Sequence, residues 1–73
     1  MKRRVEYSEN MSNKFWEVEV KDRKVVTRWG AIDMAPATKV RTHETAAAAL
    51  LDAEKQLKAK LKKGYKEALA FRH

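Results

Sequence analysis

The sequence predicts an α+β domain: a small antiparallel sheet of about four strands with one long C-terminal amphipathic helix packed on one face. Three observations carry this. Residues 15–20, FWEVEV, alternate apolar and acidic side chains with a period of two. Residues 46–63 are rich in strong helix formers and repeat apolar residues every three or four positions. Neither a one-faced sheet nor a one-faced helix can bury its apolar side alone, so each serves as the other's cover.

Taken in order, KRRVEY (2–7) alternates weakly and fits a short edge strand, and SENMSN (8–13) has the polar composition of a loop. In 15–20, Trp16, Val18 and Val20 share one face and Glu17 and Glu19 the other. KDRK (21–24) is a short charged connection, and VVTRW (25–29), β-branched and aromatic, completes a hairpin. Pro36 has a fixed φ and no N–H, which suits a connection, and ATKVRTH (37–43) is a further strand. Thr45 can cap a helix over 46–63, with Gly64 placed for a left-handed C-terminal residue. Ala46, Leu50, Ala53, Leu57 and Leu61 form the apolar stripe expected to face the sheet, while Lys55, Lys58 and Lys62 point elsewhere.

Length sets the bounds. Seventy-three residues make a single domain spanning 1–73, and a domain of that size buries only about 60% of its unfolded surface. There is no cysteine, so no disulfide or thiolate metal site supports it. The basic N-terminus has no apolar run behind it, and no segment reaches the ~20 apolar residues of a membrane span. The expectation is a soluble, cytoplasmic monomer without membrane association. Seventeen Lys and Arg against ten Asp and Glu give a net charge of +7, which favours polyanionic partners. The charge is uneven: lysines occupy 55, 58, 60, 62, 63 and 66 with no acid among residues 55–66.

Catalytic readings fail on the inventory. Nucleophilic catalysis needs a base oriented by a third group, and the two histidines are His43, at a strand end, and the terminal His73. His43 is expected to be a packing or surface residue. Two distant histidines without cysteines do not make a metal site. Gly30 and Gly64 are the two glycines, which excludes GxGxxG and phosphate-loop motifs. No enzyme, metal or cofactor is expected.

Binding fits better. The lysine run either complements the helix macrodipole and keeps the domain soluble or meets phosphates. Trp16, in phase with Val18 and Val20, is expected in the core. Trp29 shares a face with Val25 and Thr27, and the pattern alone leaves it open between core and contact.

NKFWEVEV (13–20), VVTRWG (25–30), TKVRTHET (38–45) and EKQLKAKLKKGY (54–65) together resemble the WGR domain, named for a Trp-Gly-Arg tripeptide. The resemblance covers roughly residues 2–69. It implies a DNA-sensing module of the kind found in some poly(ADP-ribose) polymerases and in small or larger bacterial proteins, on an antiparallel sheet with one helix. It implies that Trp29, matching the motif tryptophan, packs against sugar at a strand break near a 5′ end, which tips it toward contact. Asn13 and Lys14, and Lys63 and Tyr65, match regions that family members turn toward the DNA backbone. Two departures stand out: Ala31 replaces the motif arginine, and Asp33, Pro36 and Ala37 replace the usual glycine-rich continuation. The first removes a cation beside Trp29, and Asp33 adds a carboxylate near the proposed phosphate surface.

The resulting expectation is non-catalytic binding of nucleic acid, DNA before RNA, at ends or nicks. The candidate contacts are Asn13, Lys14, Arg28, Trp29, Gly30, Lys39, Lys58, Lys62, Lys63, Tyr65 and Lys66. Phosphate and sugar contacts read no base sequence. About four lysine–phosphate contacts correspond to a slope of log K against log salt near −3.6, at about −0.9 each. The alternative is a protein-interaction module that docks an acidic partner, or a subunit of a larger regulator, through its β edges or helix. FRH (71–73) is either a tail or packs Phe71 onto the domain.

Overall fold

The central hairpin is β2 (Ser12–Lys21) and β3 (Lys24–Ala31), turning through Asp22 and Arg23 so that Lys21 faces Lys24. Asp22 adopts φ +56, a left-handed conformation that a short polar side chain tolerates better than most. The structure, a computed structural model, describes residues 1–9 and 12–67. On either side of the hairpin lie β1 (Lys2–Glu9), antiparallel to β2, and β4 (Ala37–Thr42), antiparallel to β3. After the helix α1 (Ala46–Lys62), the two-residue β5 (Lys66–Glu67) pairs with β1. The sheet order is β4-β3-β2-β1-β5.

Two expectations of strand layout change in detail. The segment expected as a polar loop at 8–13 is largely strand: Ser8 pairs with Asn13 and Glu9 with Ser12. Backbone pairing carries the ladder through polar residues that have no alternation to announce it, and residues 10 and 11 lie outside those described. The sheet has five strands, because the chain leaving α1 through Gly64 and Tyr65 returns along β1; two residues are too few for a periodic signal. The placement of Phe71 lies outside the described residues.

The core follows from register. Directly opposed residues of antiparallel strands share a face, and Trp16 faces both Val5 and Trp29 while Val18 faces Thr27 and Val20 faces Val25. Val5, Trp16, Val18 and Val25 are buried against Ala49, Ala53 and Leu57 of α1. Ala53 and Leu57 of the expected stripe face the sheet, but the helix is turned so that Ala49 joins them while Ala46 is exposed and Leu50 and Leu61 remain 42% and 39% exposed. Alanines at 49 and 53 bring the helix backbone close to a sheet whose own Trp and Val side chains supply the bulk. Leu50 and Leu61 are displaced to a groove beside Met1 and Arg3 of the β1 side.

The uncovered face is held by charge and one aromatic. Arg28 pairs with Glu17 at 3.4 Å and Glu19 at 3.9 Å. Phe15, opposite Gly30, is buried beneath the Arg4 guanidinium, 4.3 Å from its ring centre; a ring across from a strand glycine fills the space that the missing side chain leaves.

The helix ends are closed locally. The Thr45 hydroxyl accepts from the Ala48 N–H at 3.0 Å, and Lys63 is the C-terminal cap. Gly64 takes φ +102, and a Cβ there would lie 3.4 Å from Tyr7 Cε2, so glycine is required by backbone conformation first. Asp52 ties the helix to the end of β4. Its carboxylate accepts from Arg41 at 3.2 Å and Gln56 at 3.0 Å and lies 2.8 Å from His43 Nε2. Burial alone would raise the Asp52 pKa, but the bonds from Gln56 and His43 and the Arg41 charge together hold it below the ordinary carboxylate value. His43 is thus a packing residue, as expected of a histidine closing a strand.

Candidate nucleic-acid interface

Trp16 and Trp29 face each other across β2 and β3, so both rings project toward the helix side. Trp16 is 4% exposed and Trp29 39%. Trp16 lies over the middle of the sheet, flanked by Val5. Trp29 has Ala37 of β4 as its outer neighbour, a side chain too small to cover an indole.

Beside Trp29, where β2 begins and β3 finishes, a cleft of about 670 Å³ opens. Asn13 and Lys14 come from β2, Trp29 and Gly30 from β3, Tyr65 from the turn after α1, and Lys60 from the last turns of the helix. Asp33 and Met34 of the 32–36 connection form part of its wall. That connection is anchored where Ile32 N–H donates to Asn13 O at 3.1 Å and Met34 N–H donates to Ala31 O at 3.1 Å. Gly30 adopts φ +149, while a Cβ there would make only ordinary contacts with Pro36 and Ala35; the backbone conformation, and not lack of room, calls for glycine. Asn13 Oδ1 accepts from the Ser8 hydroxyl at 2.6 Å, which fixes its oxygen and leaves its amide donors available.

Two ammonium groups are held against aromatic rings. Lys14 Nζ is 5.0 Å from the Tyr7 ring centre and 5.9 Å from that of Tyr65. Lys60 Nζ is 5.4 Å from Tyr65 and 6.0 Å from Trp16. The two tyrosine rings, 5.4 Å apart and tilted, complete the wall. Such cation–π contacts stabilise charges that are partly removed from water. Even so, burial first, and then the charges of Lys63 and Lys14, push the Lys60 pKa below the ordinary lysine value. An anion between Lys14 and Lys60 would offset that repulsion and favour the charged form.

The other candidate residues divide by position. Lys39 lines an adjoining depression of about 220 Å³ with Trp29, Trp16, Thr27, Gln56 and Lys60. Arg28 lies on the opposite face of the sheet in its pairs with Glu17 and Glu19. Lys58 lines the groove with Met1, Arg3, Leu50 and Leu61, away from the cleft. Lys62 and Lys63 are exposed at the helix end, and Lys66 lies in β5 beside a depression lined by Tyr7, Ser8 and Gly64. Lys60 and Tyr7 were not singled out from sequence. Lys60 continues the buried line 53–57–60 past the end of the core, a signal in helical phase; Tyr7 becomes a neighbour of Tyr65 and Lys14 only through strand pairing.

The arrangement is that of a small α+β domain: a helix laid on a five-stranded antiparallel sheet, with a basic, aromatic cleft at the uncovered end. The chain belongs to the WGR-domain family, whose pattern matches residues 1–72. In poly(ADP-ribose) polymerases this domain is known as a nucleic-acid-binding module, and the domain itself is non-catalytic. The crystal structure of a Bacteroides fragilis protein is similar, with a TM-score of 0.89 and 33% identity, over 94% of this chain and 20% of that one. The chain therefore spans about a fifth of that protein's length. No curated protein matches the chain. Among the described residues, no helix is long and apolar enough to cross a membrane, and no group of three or more His, Cys, Asp or Glu side chains could hold a metal.

Proposed function

We propose that this domain binds nucleic acid without catalysis and without sequence specificity, at DNA ends or nicks in preference to continuous duplex. The observation that carries this is the convergence on one cleft of residues distant in sequence: Asn13 and Lys14, Trp29 and Gly30, Lys60 and Tyr65. A half-exposed indole beside two ammonium groups suits a nucleotide whose stacking has been interrupted. Its sugar or base packs on Trp29, and the adjoining phosphates meet Lys14 and Lys60. Within continuous duplex both faces of each base pair are already stacked, so the indole has nothing to add there. Asn13 and the Tyr65 hydroxyl supply neutral donors to phosphate or sugar oxygens. Every one of these contacts is blind to base identity.

Lys39 extends the positive surface along the other side of Trp29, and Lys62 and Lys63 extend it past the helix end. The carboxylate of Asp33 opposes it. Arg28, Lys58 and Lys66 contribute to the field of the molecule more than to the cleft. The number of direct phosphate contacts should therefore be small, and the affinity modest at physiological salt.

The test is fluorescence anisotropy with three labelled duplexes of equal length: blunt with 5′-phosphates, nicked, and closed at both ends by hairpin loops. The expected result is tighter binding to the open and nicked forms, with Trp29→Ala abolishing the preference while the domain stays folded. Equal, weak binding to all three by the wild type would reduce the interaction to nonspecific charge attraction and overturn the end-binding reading.

A further inference from the structure

The two edges of the sheet differ. One is closed at its centre by β5, which pairs with Val5 and Glu6 of β1. The other is β4, Ala37–Thr42, whose six residues are all exposed. Its register with β3 is unbroken from Lys24↔Thr42 to Trp29↔Ala37, so no bulge bends it away, and Pro36 precedes it without interrupting it. Its outward backbone N–H and C=O groups form a template for another strand.

Edge strands of this kind invite pairing with a second copy, but the side chains here oppose that. Lys39 and Arg41 lie on the helix side of β4, opposite Thr27 and Val25. In a twofold antiparallel pairing of two β4 strands that keeps the faces matched, centring on Val40 sets Lys39 against Arg41. Centring on Lys39 or on Arg41 sets that residue against itself. Like charges directly opposite each other are destabilising, and each of these three registers has them. The same two charges favour an incoming strand with acids at alternate positions. Between them, on the other face, Val40 is 56% exposed and faces the half-buried Val26 of β3, which suits a β-branched residue on the partner.

We propose that β4 is a docking edge for an extended acidic protein segment that adds a sixth strand to the sheet, with acidic, β-branched and acidic residues opposite Lys39, Val40 and Arg41. The backbone supplies the affinity and the alternating charges select the partner. Arg41 already shares Asp52 with His43 and Gln56, so Lys39, for which no ion pair is seen among the described residues, carries most of the charge selection. This interaction does not depend on the nucleic-acid reading, although Lys39 also borders the surface beside Trp29.

The test uses a blocked peptide with the core Thr-Glu-Val-Glu-Thr, titrated into isotopically labelled protein while amide resonances and amide exchange are followed. The expected result is saturable binding that shifts and protects the amides of β4. Lys39→Glu should weaken it about fivefold, as expected when one cross-strand attraction becomes a repulsion. A peptide with lysine in place of both glutamates should not bind, and neither should the acidic peptide with its backbone N-methylated. If the N-methylated peptide binds as well as the unmodified one, the contact is charge attraction without strand addition and the proposal fails. It fails equally if β4 amides are unaffected, or if Lys39→Glu, shown to be folded by circular dichroism, leaves the affinity unchanged.

Discussion

Trp16 and Trp29 occupy opposed positions on the same face of the same hairpin, yet one is buried and the other is 39% exposed. The difference lies in what surrounds each ring. Trp16 has Val5 on one side and the close-packed Ala53–Leu57 stretch of α1 above it. Trp29 has Ala37 on its outer side and opens onto two depressions. Strand alternation assigns a face, but it does not say how far across that face the helix reaches. A tryptophan beyond that reach becomes surface, and in a domain this small such a surface is the natural place for a ligand.

Replacing each tryptophan is the strongest way to break the comparison. Trp16→Ala should cost about 3–5 kcal/mol, as for a large aromatic removed from a core. That is a large share of the roughly 4–11 kcal/mol expected for a domain of this length, so a denaturant melt should show a marginal or unfolded protein. Trp29→Ala should leave the melt within about 1 kcal/mol of wild type and instead weaken binding to nicked DNA by about 1–3 kcal/mol, the range for one stacked base. If both variants are destabilised alike, the distinction between core and contact is lost.

Gly64→Ala sharpens the comparison from the cleft's side. The turn that presents Tyr65 runs through Gly64 at φ +102 with Tyr7 close by, and forcing a side chain into that conformation should cost about 1–2 kcal/mol. Thermal melting measures the cost. Binding should fall as well, because Tyr65 and Lys60 move with the turn, whereas Gly30→Ala should act mainly at Trp29.

The lysines come next in size. Lys14→Ala and Lys60→Ala should each reduce the slope of log K against log salt by about 0.9, while Lys58→Ala, away from the cleft, should leave it nearly unchanged. Lys60 adds a pH signature. Its pKa is lowered in the free protein, chiefly by burial, and phosphate binding favours the protonated form, so binding takes up protons on the alkaline side. Affinity should decline with rising pH before the ordinary lysine value of about 10.4 is reached. Lys60→Arg, always charged, should flatten that decline.

The smallest effect expected is in acid stability. Asp52 has a folded-state pKa below its ordinary value because Gln56, His43 and Arg41 together outweigh burial. Its contribution is therefore fully present above the ordinary carboxylate pKa and is lost as pH falls through the lowered one. Asp52→Asn should remove that part of the acid limb in melts recorded from pH 5 downward, with little change in the cleft.

Much of the fold was legible because its signals are local. Thr45 caps the helix by hydrogen-bonding three residues ahead, and the period-two run at 15–20 states its own faces. The cleft was legible in part. Asn13, Lys14, Trp29, Gly30 and Tyr65 were recognised through family resemblance and do line it. Lys60 was obscured by five other lysines of the same run, since charge alone does not say which of them the last turns of a helix aim inward. Arg28 is adjacent to Trp29 in sequence and points the other way, because neighbouring strand residues alternate faces.

What the chain determines by itself is the kind of each element and its apolar side: backbone propensity, capping and periodicity act over a few residues and need no partner. Which part of each side is covered was decided only in three dimensions. Ala49 joins the expected Ala53 and Leu57 against the sheet while Leu50 and Leu61 stay largely outside it, and the tail of the helix ends beside Trp29 without covering it. Packing depends on the summed shapes of surfaces distant in sequence, and no local pattern contains that sum.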